Sequence, residues 1–230
     1  MRQILCVGIG LLASSVVMNA ELNRTERERI EQAAAVLHEI HQVPDKDIPR
    51  GLWEKASCIG VIPGVKKAAF ILGGEYGKGV ISCRTGNGWS APSFLMLEKG
   101  SFGLQWGGES VDLVLLVMNE HGVNGLLEDK VALGGEASIA AGPVGRDTRA
   151  MTDAQLKAEM LSWSRSRGLF AGIDLTGGVL KPDRDDNRDL YGREISARDI
   201  LMARHDIPRA AMPFMNALRN TAPPKQAERH

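Results

Sequence analysis

The sequence predicts an α+β fold: a curved antiparallel sheet, open or barrel-like, flanked by N- and C-terminal helices. Two observations carry this. Between Cys58 and Met118, short apolar runs of strand length and β-branched character alternate with glycine-rich breaks. On either side, at 22–43 and beyond 181, apolar residues recur at helical spacing.

The first helix is expected over 22–43. Thr25 with Glu28 reads as its capping box, and Ile30, Ala33, Ala34 and Leu37 form one apolar stripe. A loop follows, and Pro49 is placed to start a short helix over 50–56. Strands are expected at 59–62, 68–72, 79–83, 94–97, 102–106 and 111–118, with Gly86-Asn87-Gly88 as a hairpin signal. The glycine-rich 73–79 reads as a turn between two of them. Helical spacing returns at 119–130, weakened by Gly122 and Gly125. Strands follow at 133–142, 158–163 and 169–175, with a polar connection at 145–155 and a closing strand at 177–180. The last helices fall at 185–191, 197–202 and 209–218.

Residues 1–20 read as a targeting signal. Arg2 supplies the positive start, 4–18 the apolar run, and Met18-Asn19-Ala20 a cleavage site after Ala20. An uncleaved anchor is the alternative. No linker divides the remainder, so 21–220 is read as one domain and 221–230 as a polar, disordered tail. The expected location is the exported, periplasmic or envelope-associated space. Cleavage leaves Cys58 and Cys83, an even pair that reads as a disulfide in an oxidising compartment or as two buried thiols.

Ile62-Pro63-Gly64-Val65-Lys66-Lys67-Ala68, the segment 73–79, Trp89-Ser90-Ala91-Pro92-Ser93, the segments 101–108 and 141–146, and 164–172 with Ser164-Arg165-Ser166-Arg167 follow one another as ordered blocks. Together they resemble the SYLF domain family. The resemblance covers roughly residues 22 to 220. It implies a lipid-binding module, phosphoinositide-binding in eukaryotic members, with actin binding described for the fungal branch. In that family lipid contact is attributed to the N-terminal region of the domain.

Composition narrows the function. The chain is 43% hydrophobic and 24% charged, which argues against disorder. Its 28 basic and 28 acidic residues balance, so a sequence-wide hold on nucleic acid is not expected. Losing Arg2 leaves 27 against 28. The segment 73–79 is not a phosphate loop: three residues, not four, separate Gly73 from Gly77-Lys78, and no Ser or Thr follows the lysine. His38 and His41 are a weak metal pair without a zinc signature. Asp183, Asp185, Asn187, Asp189 and Glu194 match calcium-loop spacing, but Arg188 stands where that loop needs glycine. The competing reading is a solvated acidic turn with Asp185 or Asp186 capping the next helix. No nucleophile elbow or catalytic triad is legible, and Glu75 and Glu109 have no fixed separation. No enzyme activity and no cofactor are expected.

Basic residues remain. Lys66 and Lys67 follow a Pro-Gly turn, Arg165 and Arg167 share a strand face by alternation, and Arg24, Arg27 and Arg29 crowd the start of the first helix. The expected function is an exported, non-enzymatic lipid-binding protein. In it these residues and the apolar face of the helix contact anionic phospholipid at a membrane surface. The alternatives are an envelope protein using the same residues on a protein partner, and a carrier enclosing an acyl chain.

Overall fold

The computed structural model describes residues 22–40, 47–68, 72–86, 88–102, 110–145, 151–166 and 169–223. The expected targeting signal at 1–20, His41, Asn87, Glu109, Arg167 and the part of the expected tail beyond Pro223 lie outside them.

The centre is a strongly curled half-barrel sheet with helices from both chain ends on it. Its strands are β1 (Cys58–Ala68), β2 (Leu72–Thr85), β3 (Gly88–Trp89), β4 (Ser93–Phe102), β5 (Ser110–Val117), β6 (Val131–Ala132), β7 (Ile139–Ala141), β8 (Met160–Ser166), β9 (Leu169–Gly172) and β10 (Gly178–Pro182). The order is β6-β10-β4-β2-β1-β5-β8-β7, with β3 paired to β2 and β9 to β8. All pairs are antiparallel except β7–β8. The helices are α1 (Arg24–Glu39), α2 (Arg50–Lys55), α3 (Glu120–Leu126), α4 (Asp153–Lys157), α5 (Arg184–Tyr191), α6 (Ala197–Met202) and α7 (Met212–Thr221).

Alternation along the central strands gives the sheet two apolar faces. Ile59, Val61, Val114, Leu116 and Trp163 meet α1, α2 and α7 on one side. Cys58, Ile62, Leu113, Leu115 and Val117 point to the other, where Val123 and Leu126 of α3, with Leu175 and Leu180, fill the curl. The stripe Ile30, Ala33, Ala34 and Leu37 is fully used in the first core. The apolar face expected to contact a membrane is therefore packed inside the protein.

Local differences from the sequence reading have physical causes. The α1 capping box is Asn23 with Glu26, not Thr25 with Glu28. Glu26 N–H donates to Asn23 Oδ1 at 3.1 Å, and Asn23 N–H returns to Glu26 Oε2 at 3.0 Å. The segment 73–79, expected as a turn, lies inside β2 together with the expected strand at 79–83; of the expected strand at 68–72, Ala68 ends β1 and Leu72 opens β2. Pro63-Gly64 is likewise not a turn but a bulge inside β1, where pairing slips against both neighbours. Proline and a glycine at φ 61° fit there because a bulge frees the ladder and demands a left-handed residue. Beneath it, a Cβ on Gly77 would come within 2.7 Å of Ile62 Cγ2. Those glycines permit close approach rather than turning. The expected strand at 133–142 is only Ile139–Ala141, because Gly134 at φ 84° turns the chain after β6.

Cys58 and Cys83 are direct partners in the β1–β2 register and form a disulfide. Ala222 and Pro223, assigned by composition to the tail, are held: Trp89 Nε1–H donates to Ala222 O at 3.0 Å and Arg84 to Pro223 O at 3.1 Å. No helix among the described residues is long and apolar enough to cross a membrane.

Candidate functional site

Where α1 crosses the β1 bulge, a groove of about 290 Å³ opens. It is lined by Thr25, Glu28, Arg29 and Gln32 of α1, by Pro63, Gly64 and Lys66 of the β1 bulge, and by Tyr76, Gly77 and Lys78 of β2. The bulge decides this geometry. It lifts the chain at Pro63-Gly64 and turns Lys66 outward, directly opposite Tyr76 in the β1–β2 register. Lys66 is exposed and has no ion-pair partner among the described residues. Tyr76 is 44% exposed, an aromatic body with a polar tip at the rim.

The inner cations are different. Arg29 pairs with Asp186 of α5 and lies 5.5 Å over the Phe94 ring. Lys78 pairs with Asp183, and its Nζ reaches Asp186 Oδ1 at 3.2 Å. The side chains of Asp183 and Asp186 are 3% and 10% exposed, so the cluster is largely dehydrated. Burial and the neighbouring Asp183 push the Asp186 carboxyl above its ordinary value, against Arg29 and Lys78. Burial alone would lower the Lys78 ammonium; the two carboxylates outweigh it and raise it.

A second ion network holds the bulge. Gly64 N–H donates to Asp112 Oδ1 at 2.9 Å, Arg165 Nε–H donates to Asp112 Oδ2 at 2.8 Å, and the same guanidinium pairs with Glu39 of α1. One arginine thus ties the end of α1 to the strand beside the bulge.

Of the expected lipid contacts, the structure brings Arg29 and Lys66 to one groove. Arg24 and Arg27 are exposed on the same helix, Arg24 paired with Glu28 and Arg27 Nε–H donating to Leu22 O at 3.1 Å. Lys67 follows in β1, in register with Glu75. Arg165 is spent on Asp112 and Glu39. Lys78 is a groove residue that the sequence does not reveal, because nothing local signals its ion pairing.

The acidic segment is not a calcium loop, because 184–191 is helical. Asp183 is the N-cap, accepting from Asp186 N–H at 3.3 Å, in place of the expected Asp185 or Asp186. Asn187 faces inward, accepting from Phe94 N–H at 2.7 Å and donating to Phe94 O at 3.2 Å. Asp185, Asp189 and Glu194 surround Arg188 instead of a common point. No group of three metal-ligating side chains occurs among the described residues.

The fold and groove define a half-barrel α+β domain with a helix strapped across a bulged central strand. Residues 98–221 match the family described as Ysc84, Las17-binding protein actin regulator. The chain belongs to this Ysc84, or SYLF, family. It is similar to protein YSC84 of Saccharomyces cerevisiae, 33% identical over 214 residues, covering 89% of this chain and 46% of that one. It is 40% identical over 162 residues to an SH3 domain-containing protein of Schizosaccharomyces pombe, covering 69% and 38%. A human SH3 domain-containing YSC84-like protein 1 is 32% identical over 201 residues, covering 84% and 58%. The chain thus spans between 38% and 58% of these relatives.

Proposed function

We propose that this chain is an exported, non-enzymatic binding domain that receives an anionic phospholipid headgroup in the α1–bulge groove. The carrying observation is Lys66: exposed, unpaired among the described residues, set opposite Tyr76 at the mouth of a groove walled by Arg29 and Lys78. Lysine offers a point charge to an anion, and tyrosine suits the boundary between headgroup and water. The apolar face of α1 takes no part, since it is packed in the core. The Cys58–Cys83 disulfide supports the export reading, because such bonds persist in oxidising compartments.

The test is co-sedimentation with phosphatidylglycerol-containing and pure phosphatidylcholine vesicles at low and high salt. Salt-sensitive binding to the anionic vesicles is expected, weakened about fivefold or more by Lys66→Glu. Equal binding of the two proteins would sink the groove as the contact.

A second reading is a protein partner on the same groove. It is favoured by the family's description as Las17-binding and actin-regulating. Co-sedimentation with actin filaments, lost in Lys66→Glu and without vesicle binding, would select it. Enclosure of an acyl chain has less support, because Leu113, Leu115, Leu175 and Leu180 fill the curl.

A further inference from the structure

Arg29 and Lys78 line the groove, yet each already holds a carboxylate of α5 on its other side. Neither Asp183 nor Asp186 lines the groove, and both are buried. Two cations and two carboxylates offset one another here, with the buried Glu26 of α1 close enough to interact with Asp186 and Arg29. The groove's inner wall therefore carries charge that an arriving anion meets already compensated.

We propose that Asp183 and Asp186 act as an internal anion that competes with the groove's ligand for Arg29 and Lys78. This rests on the groove being an anion site and concerns its regulation. Lys66 at the mouth makes the first contact. A ligand reaching further must draw the two inner cations from α5, loosening that helix. A partner or condition that neutralises Asp186 strengthens anion binding.

The geometry gives the mechanism a direction. Asp183 is the N-cap of α5, and Asp186 lies in its first turn. Losing their cations leaves two buried carboxylates near one another, which disfavours that turn's present packing. Asn187 still anchors α5 to Phe94, so the expected change is local loosening rather than detachment.

Binding of the purified protein to phosphatidylglycerol-containing vesicles reads this out. Asp186→Asn should bind about fivefold more tightly, the gain expected when one basic residue is freed near an anionic surface. Asp185→Asn is the control: it makes the same change in net charge on the same helix, but Asp185 is 78% exposed and pairs with Arg188. Its gain should stay below about twofold, since exposed charges are screened. Equal gains in the two variants would overturn the competition and leave only net charge. Independently of any variant, amide exchange at 184–191 in the unaltered protein should quicken on anionic but not on zwitterionic vesicles. Unchanged exchange on bound protein would also overturn the proposal. Lys66→Glu keeps the two ideas apart: if it leaves binding intact, the groove reading has failed. If it weakens binding while Asp186→Asn gains no more than its control, only the competition has failed.

Discussion

Gly79 of β2 lies so close to Val61 of β1 that a Cβ on it would fall 2.1 Å from the Val61 carbonyl oxygen. Real side chains do not approach backbone that closely, so the two strands can sit together only if this position is bare. The contact lies where β1 slips register, and it shows why a glycine-rich segment is strand rather than turn.

Gly79→Ala is expected to destabilise the protein by about 3 kcal/mol or more, since the nearest contacts are backbone atoms rather than flexible side-chain ends. Gly100→Ala, on the next strand, should change stability little, because a Cβ there would meet nothing within 4 Å. Urea midpoints of the two variants test the contrast. Similar midpoints would show that β2 can shift away from the bulge.

The Cys58–Cys83 bond joins register partners 25 residues apart. Replacing both by alanine should cost about 3 kcal/mol, mostly by releasing the unfolded chain. Because both cysteines are buried, reductant should leave the folded unaltered protein oxidised and act only as it unfolds. Thiol titration across a urea series checks this; rapid reduction without denaturant would contradict it.

Glu26 is buried at the start of α1. Burial raises its pKa above the ordinary 4.5; the Asn23 hydrogen bond opposes the rise, and Asp186 and Asp189 add to it. The folded state therefore keeps this proton to higher pH than the unfolded chain. The resulting stability is complete below the unfolded value and is lost as pH rises through the folded one. Glu26→Gln retains a carbonyl for the Asn23 N–H but does not titrate. Its stability should fall less steeply than that of the unaltered protein as pH rises from about 4.5. Parallel pH profiles from denaturant unfolding would refute the assignment.

Arg165 spans Asp112 and Glu39, a task for a planar fork. Arg165→Lys should cost about 1 kcal/mol and Arg165→Ala about 2 kcal/mol. These lie below the range for fully buried pairs because the Glu39 side chain is 42% exposed. Thermal unfolding measures both. Unchanged stability with weakened vesicle binding would return Arg165 to the ligand surface.

Most element types, the α1 core stripe, the strand-rich character of 58–118 and the candidate pair Cys58 and Cys83 are legible in the amino-acid order alone, whereas the glycine-rich 73–79 reads as a turn until its place in β2 is seen. The legible features depend on local periodicity and residue chemistry, which hold without knowledge of partners. Pro63-Gly64 is legible as an interruption of the chain's course, but the amino-acid order reads it as a turn, and only the pairing of β1 with both neighbours makes it a bulge that leaves Lys66 exposed. Which cations are free is settled only by folding. Arg29 meets Asp186 across 157 positions, and Arg165 meets Glu39 across 126. As letters in the chain, these arginines look the same as Arg24. The difference is burial, which makes an unpaired charge costly and so selects partners that no local spacing reveals.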